Sequence, residues 1–466
     1  MTVSVRFAPS PTGRLHIGNI RTAVLNWLFA RRNGGNFMLR LDDTDRSRST
    51  EEFADAIRAD LTWLGLVWDR EARQSDRMAR YDEIAETLKR AGRLYPCFES
   101  EDELDRRRAR QRARGLPPIY DRTALKLKPD EIAQRIAAGE KPHWRLFLTN
   151  TEASRGLAPQ PTLVSWPDVV RGEQTVDIGS LSDPVLIRAD GTPLYTFTSV
   201  VDDIDFAITH IVRGEDHVTN SAVQIQLFEA LGATPPLFAH HSLLIGVDGQ
   251  ALSKRLGDLS VDSLRADGLE PLAIDCHAAL LGTSEAVAPY PTLDALAAHV
   301  DLTKLSRAPG RFDVEELRSL NAKLLHMLPF DAVAPRLAAA GITTTSELWD
   351  AVRGNITTLG DVRTWIDVVD GPLAPHIEDA ATCTTAADLL PPEPWTADTW
   401  TQGQSAVPSL AAGAHRARGR TRNARAAAAD RSRPRRSAPQ RADGVTRGVG
   451  IICRTIGRAV AQYRRR

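Results

Sequence analysis

One stretch near the N-terminus constrains the rest of the chain: VRFAPSPTGRLHIGNIRTAVLNWLFA, residues 5–30. Val3, Val5 and Phe7 alternate with other residues at the period of a strand. Pro9, Pro11 and Gly13 then impose a tight, irregular turn. Beyond it Ala23, Val24, Trp27 and Leu28 recur at helical spacing, and Gly34-Gly35 supplies a C-terminal stop. His16-Ile17-Gly18 therefore falls where a strand passes into a helix. In an open α/β sheet that is where nucleotides bind, because free N–H groups and the positive end of the helix dipole face the ligand. Gly18 lets a purine or ribose approach the backbone closely, and the His16 ring can bond a phosphate oxygen. A glycine-rich turn with a satisfied histidine would spell the same letters, so the surrounding frame, APSPTGRLHIG, carries the weight.

Composition sets the outer bounds. A chain of 466 residues has room for two to four domains, and 42% hydrophobic with 25% charged residues is ordinary for a globular protein. No apolar run approaches transmembrane length, and MTVSVRFAPS lacks the basic and apolar regions of a secretory signal, so a cytoplasmic protein without a membrane role is expected. Cys97, Cys276, Cys383 and Cys453 form no CxxC pair, and their spacing supports neither a disulfide framework nor a metal cluster.

Further along, Phe37–Leu41 reads as a second strand ending in Asp42-Asp43-Thr44-Asp45. Carboxylates at such an end point into the ligand crevice, although an acidic turn that caps a helix looks the same. Ser49 and Glu52 are placed for a capping box, with Phe53, Ile57, Leu61 and Leu64 as the apolar face of the helix it would start. Residues 96–155 interrupt the α/β pattern. Within them Glu101–Arg114 is a solvated helix laced with ion pairs, closed by Leu116-Pro117-Pro118. The pattern resumes at Asp183–Ile187. Ile208, Ile211 and Val212 mark a buried strand whose end is Arg213-Gly214-Glu215-Asp216-His217, and Thr219 or Asn220 can cap the helix carrying Val223, Leu227 and Leu231. A buried arginine at a strand end serves either structure or a ligand. His240 and His241 are adjacent on a strand and point to opposite faces, so they are read as structural or RNA-adjacent and not as metal ligands. Gly246 and Gly249 shape a loop running through GVDGQALSKRLGD. From about 262 to 403 the period is helical.

Several of these segments match one family. Ala8, Pro9, Ser10, Pro11, Thr12, Gly13, Arg14, Leu15, His16, Ile17 and Gly18 resemble the first signature of class I aminoacyl-tRNA synthetases of the glutamyl/glutaminyl branch. LRLDDTD resembles that branch's LRIEDTD, with Asp42 one methylene shorter than the glutamate of the pattern. VRGEDH matches as well, with Tyr195 and Val201-Asp202-Asp203 in register. Ala251, Leu252, Ser253, Lys254 and Arg255 resemble the second class I signature, KMSKS; the first lysine is lost and the second kept. A lone SKR carries little information, but here it comes some 235 residues after Gly18 and lies downstream of VRGEDH.

Across residues 1–403 the motifs resemble the bacterial glutamyl-tRNA synthetase family. The resemblance implies an α/β class I Rossmann-type catalytic domain (1–95 and 183–261), interrupted by an insert that grips the acceptor stem (96–182). Beyond these it implies a helical stem-contact domain (262–315) and an all-helical anticodon-binding domain (316–403). It implies ATP-dependent ligation of L-glutamate to tRNA-Glu, with tRNA-Gln left open, by a monomer using ATP with Mg²⁺. His16 and Lys254 would be catalytic. Thr12, His16, Gly18, Ser253 and Lys254 would hold ATP. Arg6, Ser10, Asp42, Tyr195, Ser199, Arg213 and Asp216 would surround glutamate, with Ser199 standing where relatives can carry Asn. Lys141, His143 and Arg145 would meet tRNA phosphates. Some members bind zinc in the insert through three cysteines and a fourth ligand; Cys97 is the insert's one cysteine, so no zinc is expected. Two other readings are a truncated enzyme that glutamylates a modified tRNA base and a catalytically dead RNA-binding paralogue. The long helical region opposes the first, and the retention of His16 and Lys254 opposes the second.

The tail breaks from the rest. Gln404–Arg466 holds 16 arginines, no lysine and two acids, whereas the preceding residues hold 43 basic and 57 acidic ones. Between Gln404 and Gly444 only Val407 and Leu410 are large apolar residues, too few for a core. One reading is a disordered basic arm that attracts RNA. The other is a frameshift beginning between Trp400 and Val407. Synonymous codons for Val407–Ser432, read one base downstream, permit FLPLRLALTGREDGPEMPALLPLIGR, which resembles the family's C-terminal pair of apolar helices joined by an LTG turn. Resequencing the gene is expected to find that peptide in the second frame; stop codons there would leave the basic arm.

Overall fold

The computed structural model describes residues 2–149, 161–250, 252 and 259–370. The Ser253-Lys254-Arg255 signature and the arginine-rich tail lie outside the described residues. Two compact units divide after Leu328. The helix Val314–Met327 runs through the expected 315/316 boundary and belongs wholly to the first unit.

The first unit is built on parallel strands. β1 (Ser4–Phe7), β2 (Asn36–Leu41) and β3 (Arg70–Arg73) pair in parallel, with Val5 opposite Phe37 and Leu39 opposite Glu71. The connection from β1 to β2 is α1 (Ile17–Arg32), and from β2 to β3 it is α2 (Glu51–Trp63). Such strand–helix–strand crossovers are what parallel pairing requires. β1 and β2 are largely apolar because helices cover the sheet there, with Val5, Phe7, Phe37, Leu39 and Leu41 buried, whereas the edge strand β3 is polar and partly exposed. After α3 (Met78–Arg90), the chain leaves this sheet through β4 (Leu94–Cys97).

The insert carries α4 (Glu101–Ala113), α5 (Pro129–Ala137), β5 (His143–Leu146) and the hairpin β6 (Leu163–Asp168) and β7 (Gly172–Asp177). Helix α4 buries no residue and opens with a Ser100/Glu103 capping box, which fits the solvated helix expected there. The expected boundaries are cut across by the strand pairing. β8 (Val185–Ile187), on the catalytic side of residue 182, joins β4 and β5 in the insert's own sheet. The β6–β7 hairpin instead extends a sheet with β9 (His210–Gly214) and β10 (Leu237–His241), in the order β7-β6-β10-β9. Thr209 donates its backbone N–H to Ser4 O at 2.9 Å, which brings the start of β9 beside β1.

Helices α6 (Tyr195–Asp205) and α7 (Val218–Ala230) frame β9. Phe197, Val200, Leu227 and Phe228 pack with Tyr81, Leu88 and Leu186 in one core cluster. Beyond β10, β11 (Leu244–Gly246) pairs in parallel with β12 (Gly310–Phe312), a strand the helical periodicity of that region did not signal. Between them lie α8 (Val261–Ala266), α9 (Pro271–Leu280) and α10 (Leu293–His299), and α11 (Val314–Met327) comes after β12.

The second unit is helical where described: α12 (Phe330–Ala339), α13 (Ser346–Val352) and α14 (Val362–Asp370). Trp349 is fully buried, and Val333, Leu337, Ile342, Val352 and Ile356 are buried with it. No helix among the described residues is long and apolar enough to cross a membrane.

Two helix starts differ from expectation for local reasons. Thr50, not Ser49, caps α2 by accepting from Phe53 N at 3.2 Å. Ser49 is held in the preceding turn by its own N–H on Asp45 O, so the helix begins one residue later. Neither Thr219 nor Asn220 caps α7, because Glu215–His217 forms a 3-10 turn that runs directly into the helix at Val218.

Candidate active site

The C-terminal ends of β1, β2 and β9 lead to one place. α1 begins there with His16 as its N-cap in extended conformation. The His16 backbone N–H donates to Asn19 Oδ1 at 3.4 Å, and His16 Nδ1 accepts from Gly18 N at 3.2 Å, a reciprocal cap. Since Nδ1 is the acceptor, a neutral His16 carries its proton on Nε2. Burial lowers the His16 pKa, which favours that neutral form. The imidazole thus presents one outward N–H donor at a helix N-terminus, where anions are already favoured.

The turn is also tied to the segment on the far side of the second signature. His16 bridges Ser260, and Val261 N donates to Leu15 O at 3.1 Å. On the near side of that loop, Gly249 N bonds Gly246 O at 2.9 Å and Gly246 N bonds Gln250 O at 2.8 Å, closing a hairpin-like turn. Both flanks of Ser253–Arg255 are therefore fixed, the far one onto His16 itself.

Beneath the crevice lies a network of buried charge. Arg40, fully buried in β2, donates from Nε to Asp42 Oδ1 at 2.7 Å, from Nη1 to Asp203 Oδ1 at 2.8 Å and from Nη2 to Ser199 Oγ at 3.2 Å. Arg6 Nε reaches the same Asp203 carboxylate at 3.1 Å. Asp202, one residue back on α6, accepts from Arg77 Nε at 2.7 Å, Gln74 Nε2 at 2.9 Å and Tyr81 Oη at 3.0 Å. Burial pushes the Asp42 carboxyl up to about 6, against the opposing pull of Arg40. Asp43, its neighbour, faces the other way and accepts from the N–H and Oγ of Ser75 and from Arg73.

Arg213, at the end of β9, is 5% exposed and is bonded by neutral groups. It donates from Nη1 to Tyr195 Oη at 2.9 Å and from Nη2 to Ser221 Oγ at 2.8 Å and Gln224 Oε1 at 2.7 Å. No carboxylate bonds it among the described residues, and burial lowers its pKa. A buried guanidinium without a counter-ion is costly, and an arriving carboxylate relieves that cost with a bidentate pair.

The expected residues divide accordingly. Ser10, Thr12, Asp42 and Tyr195 line one cleft of ≈ 340 Å³, together with Gln74 and Arg188. Arg6 and Ser199 are interior residues bonded into the Arg40 network. Asp216 is set apart: its half-exposed carboxylate folds over Gly214, where an added Cβ would stand 2.5 Å from Oδ1 and push the carboxylate aside. Of the three expected phosphate contacts in the insert, Arg145 is buried and donates to Asp183 O at 2.6 Å, which removes it from the surface. His240 and His241 are both buried, the first against Asp168 and Ser221 and the second against Thr22, so neither stands at an RNA-facing surface. Sequence reasoning assigned no role to Arg40, Asp168, Ser221 or Gln224. The one available signal was an arginine inside the apolar run of β2.

In the insert, Cys97, Glu99 and His143 place ligand atoms within 4.8 Å of one another. Tyr120 Oη already donates to Glu99 Oε1 at 2.8 Å and contacts Cys97 Sγ at 3.7 Å. Burial pushes the Cys97 thiol up to about 12, and Glu99 Oε2 and His143 Nε2 are buried without a hydrogen-bond partner among the described residues.

Comparison with known proteins adds an independent line. Residues 2–319 match the family model described as tRNA synthetases class I (E and Q), catalytic domain. A protein of Methylobacterium sp. (strain 4-46) called glutamate–tRNA ligase 2 is 57% identical over 409 residues, covering 87% of this chain and 89% of that one. Glutamate–tRNA ligase 1 of Brucella canis is 54% identical over 415 residues, covering 88% and 91%. Among solved structures, a glutamate tRNA ligase from Elizabethkingia meningosepticum in complex with its amino acid superposes with a TM-score of 0.72 at 27% identity, covering 89% and 91%.

The geometry sets an expectation for stability. Replacing Arg40 with methionine leaves Asp42 without its bonded charge in the interior and Asp203 with Arg6 alone. Denaturant unfolding should show a loss of about 3–5 kcal/mol, the scale for breaking a buried pair from one side.

Proposed function

The chain belongs to the class I tRNA synthetases of the glutamate and glutamine branch, and from that premise we infer how its own residues carry out glutamate–tRNA ligation. The enzyme joins L-glutamate to tRNA for protein biosynthesis in two steps, using ATP. In the first, a carboxylate oxygen of glutamate bonds to the α-phosphorus of ATP and pyrophosphate leaves with the electrons of the broken P–O bond. In the second, a hydroxyl at the tRNA 3′ end attacks the carbonyl carbon and AMP leaves.

The observation that carries the site assignment is Arg213, a buried cation bonded only by neutral groups. It pairs with the glutamate side-chain carboxylate, and Tyr195 steadies one arm of the fork. Asp42, fixed by Arg40, takes the α-ammonium, with Ser10 beside it in the cleft. Arg6 and Ser199 hold this arrangement from behind, and Asp216 closes over Gly214 at its edge. His16 donates from Nε2 to a phosphate oxygen as charge develops, and Gly18 and Thr12 admit ATP at the α1 N-terminus. Ser253 and Lys254 complete the phosphate site, their segment leading into Ser260, which bridges His16. Mg²⁺ enters on the ATP phosphates and neutralises their charge. The insert around α4 and α5 grips the acceptor stem, the helices after β11 contact the stem, and α12–α14 begin an anticodon-binding region. The protein acts as a cytoplasmic monomer. No zinc is assigned to the insert, whose cluster of Cys97, Glu99 and His143 offers one cysteine where zinc-binding members of the family use three.

Pyrophosphate exchange with glutamate, measured with and without tRNA, tests the assignment. Arg213→Gln should lose discrimination between glutamate and glutamine, because it removes roughly 2–5 kcal/mol of pairing in a desolvated pocket. Lys254→Ala and His16→Ala should each lower turnover about a hundredfold with little change in glutamate affinity.

Asp42 must be ionised to attract an ammonium group. Its carboxyl is pushed up to about 6, so it is charged above that pH and neutral below it. The KM for glutamate should therefore rise as pH falls through about 6, whereas Asp42→Asn should show a raised KM with no such inflection.

A further inference from the structure

Behind Arg213 runs a chain of hydrogen bonds that begins in the β6–β7 hairpin, far from it in sequence. Asp168, the last residue of β6, is buried at the single register position where β6 meets β10, opposite Phe238. Its Oδ1 accepts three backbone amides: Arg171 at 2.9 Å, Val170 at 3.0 Å and His240 at 3.2 Å. Its Oδ2 accepts from His240 Nδ1 at 2.5 Å. Against the effect of burial, these bonds hold the Asp168 carboxyl below its usual range, so it is the ionised acceptor. His240 is fully buried, with its ring stacked on Phe238, and burial keeps it neutral.

The consequence is a defined tautomer. With Nδ1–H committed to Asp168, Nε2 is a lone pair. It faces Ser221 Oγ at 2.8 Å and Arg213 Nε at 3.4 Å, and Ser221 Oγ in turn accepts from Arg213 Nη2 at 2.8 Å. Arg213 has only donors and so needs an acceptor at that point; the Ser221 hydroxyl, which accepts from Nη2, has its own proton to give to Nε2 or to His217 O at 3.2 Å. A protonated Nε2 would face Arg213 Nε donor to donor, beside an existing cation. The same turn sends Arg171 to Glu215, two residues beyond Arg213, so the hairpin is fastened to β9 at a second point.

We propose that Asp168 and His240 are positioning residues for glutamate recognition: Asp168 fixes the ring and tautomer of His240, and the His240 lone pair, with Ser221, orients the Arg213 guanidinium toward the substrate carboxylate. This rests on the reading that Arg213 pairs with the glutamate side chain. It assigns to the hairpin, through a carboxylate that never touches substrate, part of the choice between glutamate and glutamine.

Asp168→Asn is the decisive variant because it is isosteric. The three amides require an acceptor, so the side-chain oxygen stays on them and the NH₂ turns to His240. Nδ1 must then accept, and the ring proton moves to Nε2. In pyrophosphate exchange with the full chain and its tRNA, the KM for glutamate should rise about 10- to 100-fold, the scale for losing a residue that orients a binding group. The KM for ATP should stay at the parent value, and preference for glutamate over glutamine should fall. His240→Asn keeps a donor for Asp168 but has no counterpart of Nε2, so it should raise the glutamate KM similarly. Adding Asp168→Asn to it should then change little, since both act through one lone pair. Thermal unfolding with ATP protection confirms that each variant is folded; if Asp168→Asn is not, His240→Asn alone decides. A parental glutamate KM and selectivity in a folded Asp168→Asn or His240→Asn protein overturns the proposal. So does an additive double variant, or an equal rise in the ATP KM. If Arg213→Gln leaves selectivity intact, the assignment of Arg213 itself has failed; if Arg213→Gln destroys selectivity and Asp168→Asn does not, only the relay has.

Discussion

Arg40 places a charge in the interior of the catalytic sheet, and the crevice above it is organised by how that charge is met. Its fork joins the end of β2 to α6 through Asp42, Asp203 and Ser199. Arg6 brings β1 to the same Asp203, and Asp202 draws in Arg77, Gln74 and Tyr81 from the start of α3. An isolated ion in such a place would be prohibitively unfavourable, so the members hold one another in position: removing any one strands the rest. That interdependence makes the geometry rigid. Asp42 faces the cleft with its rotamer fixed from behind, as a group recognising an ammonium must be.

A second device controls the phosphate end. His16 spends its Nδ1 lone pair on the cap of α1, which leaves Nε2–H directed outward beside the free amides of the first turn. The helix it caps is anchored deep in the fold: Asn26 on α1 donates to Val212 O at 3.0 Å, on the strand that carries Arg213. The turn that carries His16 and the strand that carries Arg213 thus share one support. The bridge from His16 to Ser260 ties the segment just beyond the second signature to the same helix.

The hairpin β6–β7 shows why the insert is more than an appendage. By sequence it lies within the interruption of the α/β pattern, yet its strand pairing extends the β9–β10 sheet. Asp168 and Arg171 at its turn bond His240 and Glu215, on either side of Arg213. The insert therefore shares hydrogen bonds with the groups on either side of Arg213.

The sequence by itself determined the local chemistry: a strand–turn–helix with His16 and Gly18 at the start of its helix, carboxylates after β2, an arginine at the end of β9 and helices over much of 261–370. These are legible because each depends on neighbours in the chain, through periodicity, turn residues and motif spacing. Only the tertiary structure decided which distant groups meet. Arg145 reads as a phosphate ligand but is buried on Asp183 O, and His240 reads as a bystander but joins Asp168 to Arg213. Thr50 displaces Ser49 as a cap because the preceding turn has already claimed Ser49. The reason is common to all three. A buried polar group must find a partner, but nothing in linear spacing says which partner lies within hydrogen-bonding reach once the strands are ordered, and that order is set by packing over the whole sheet.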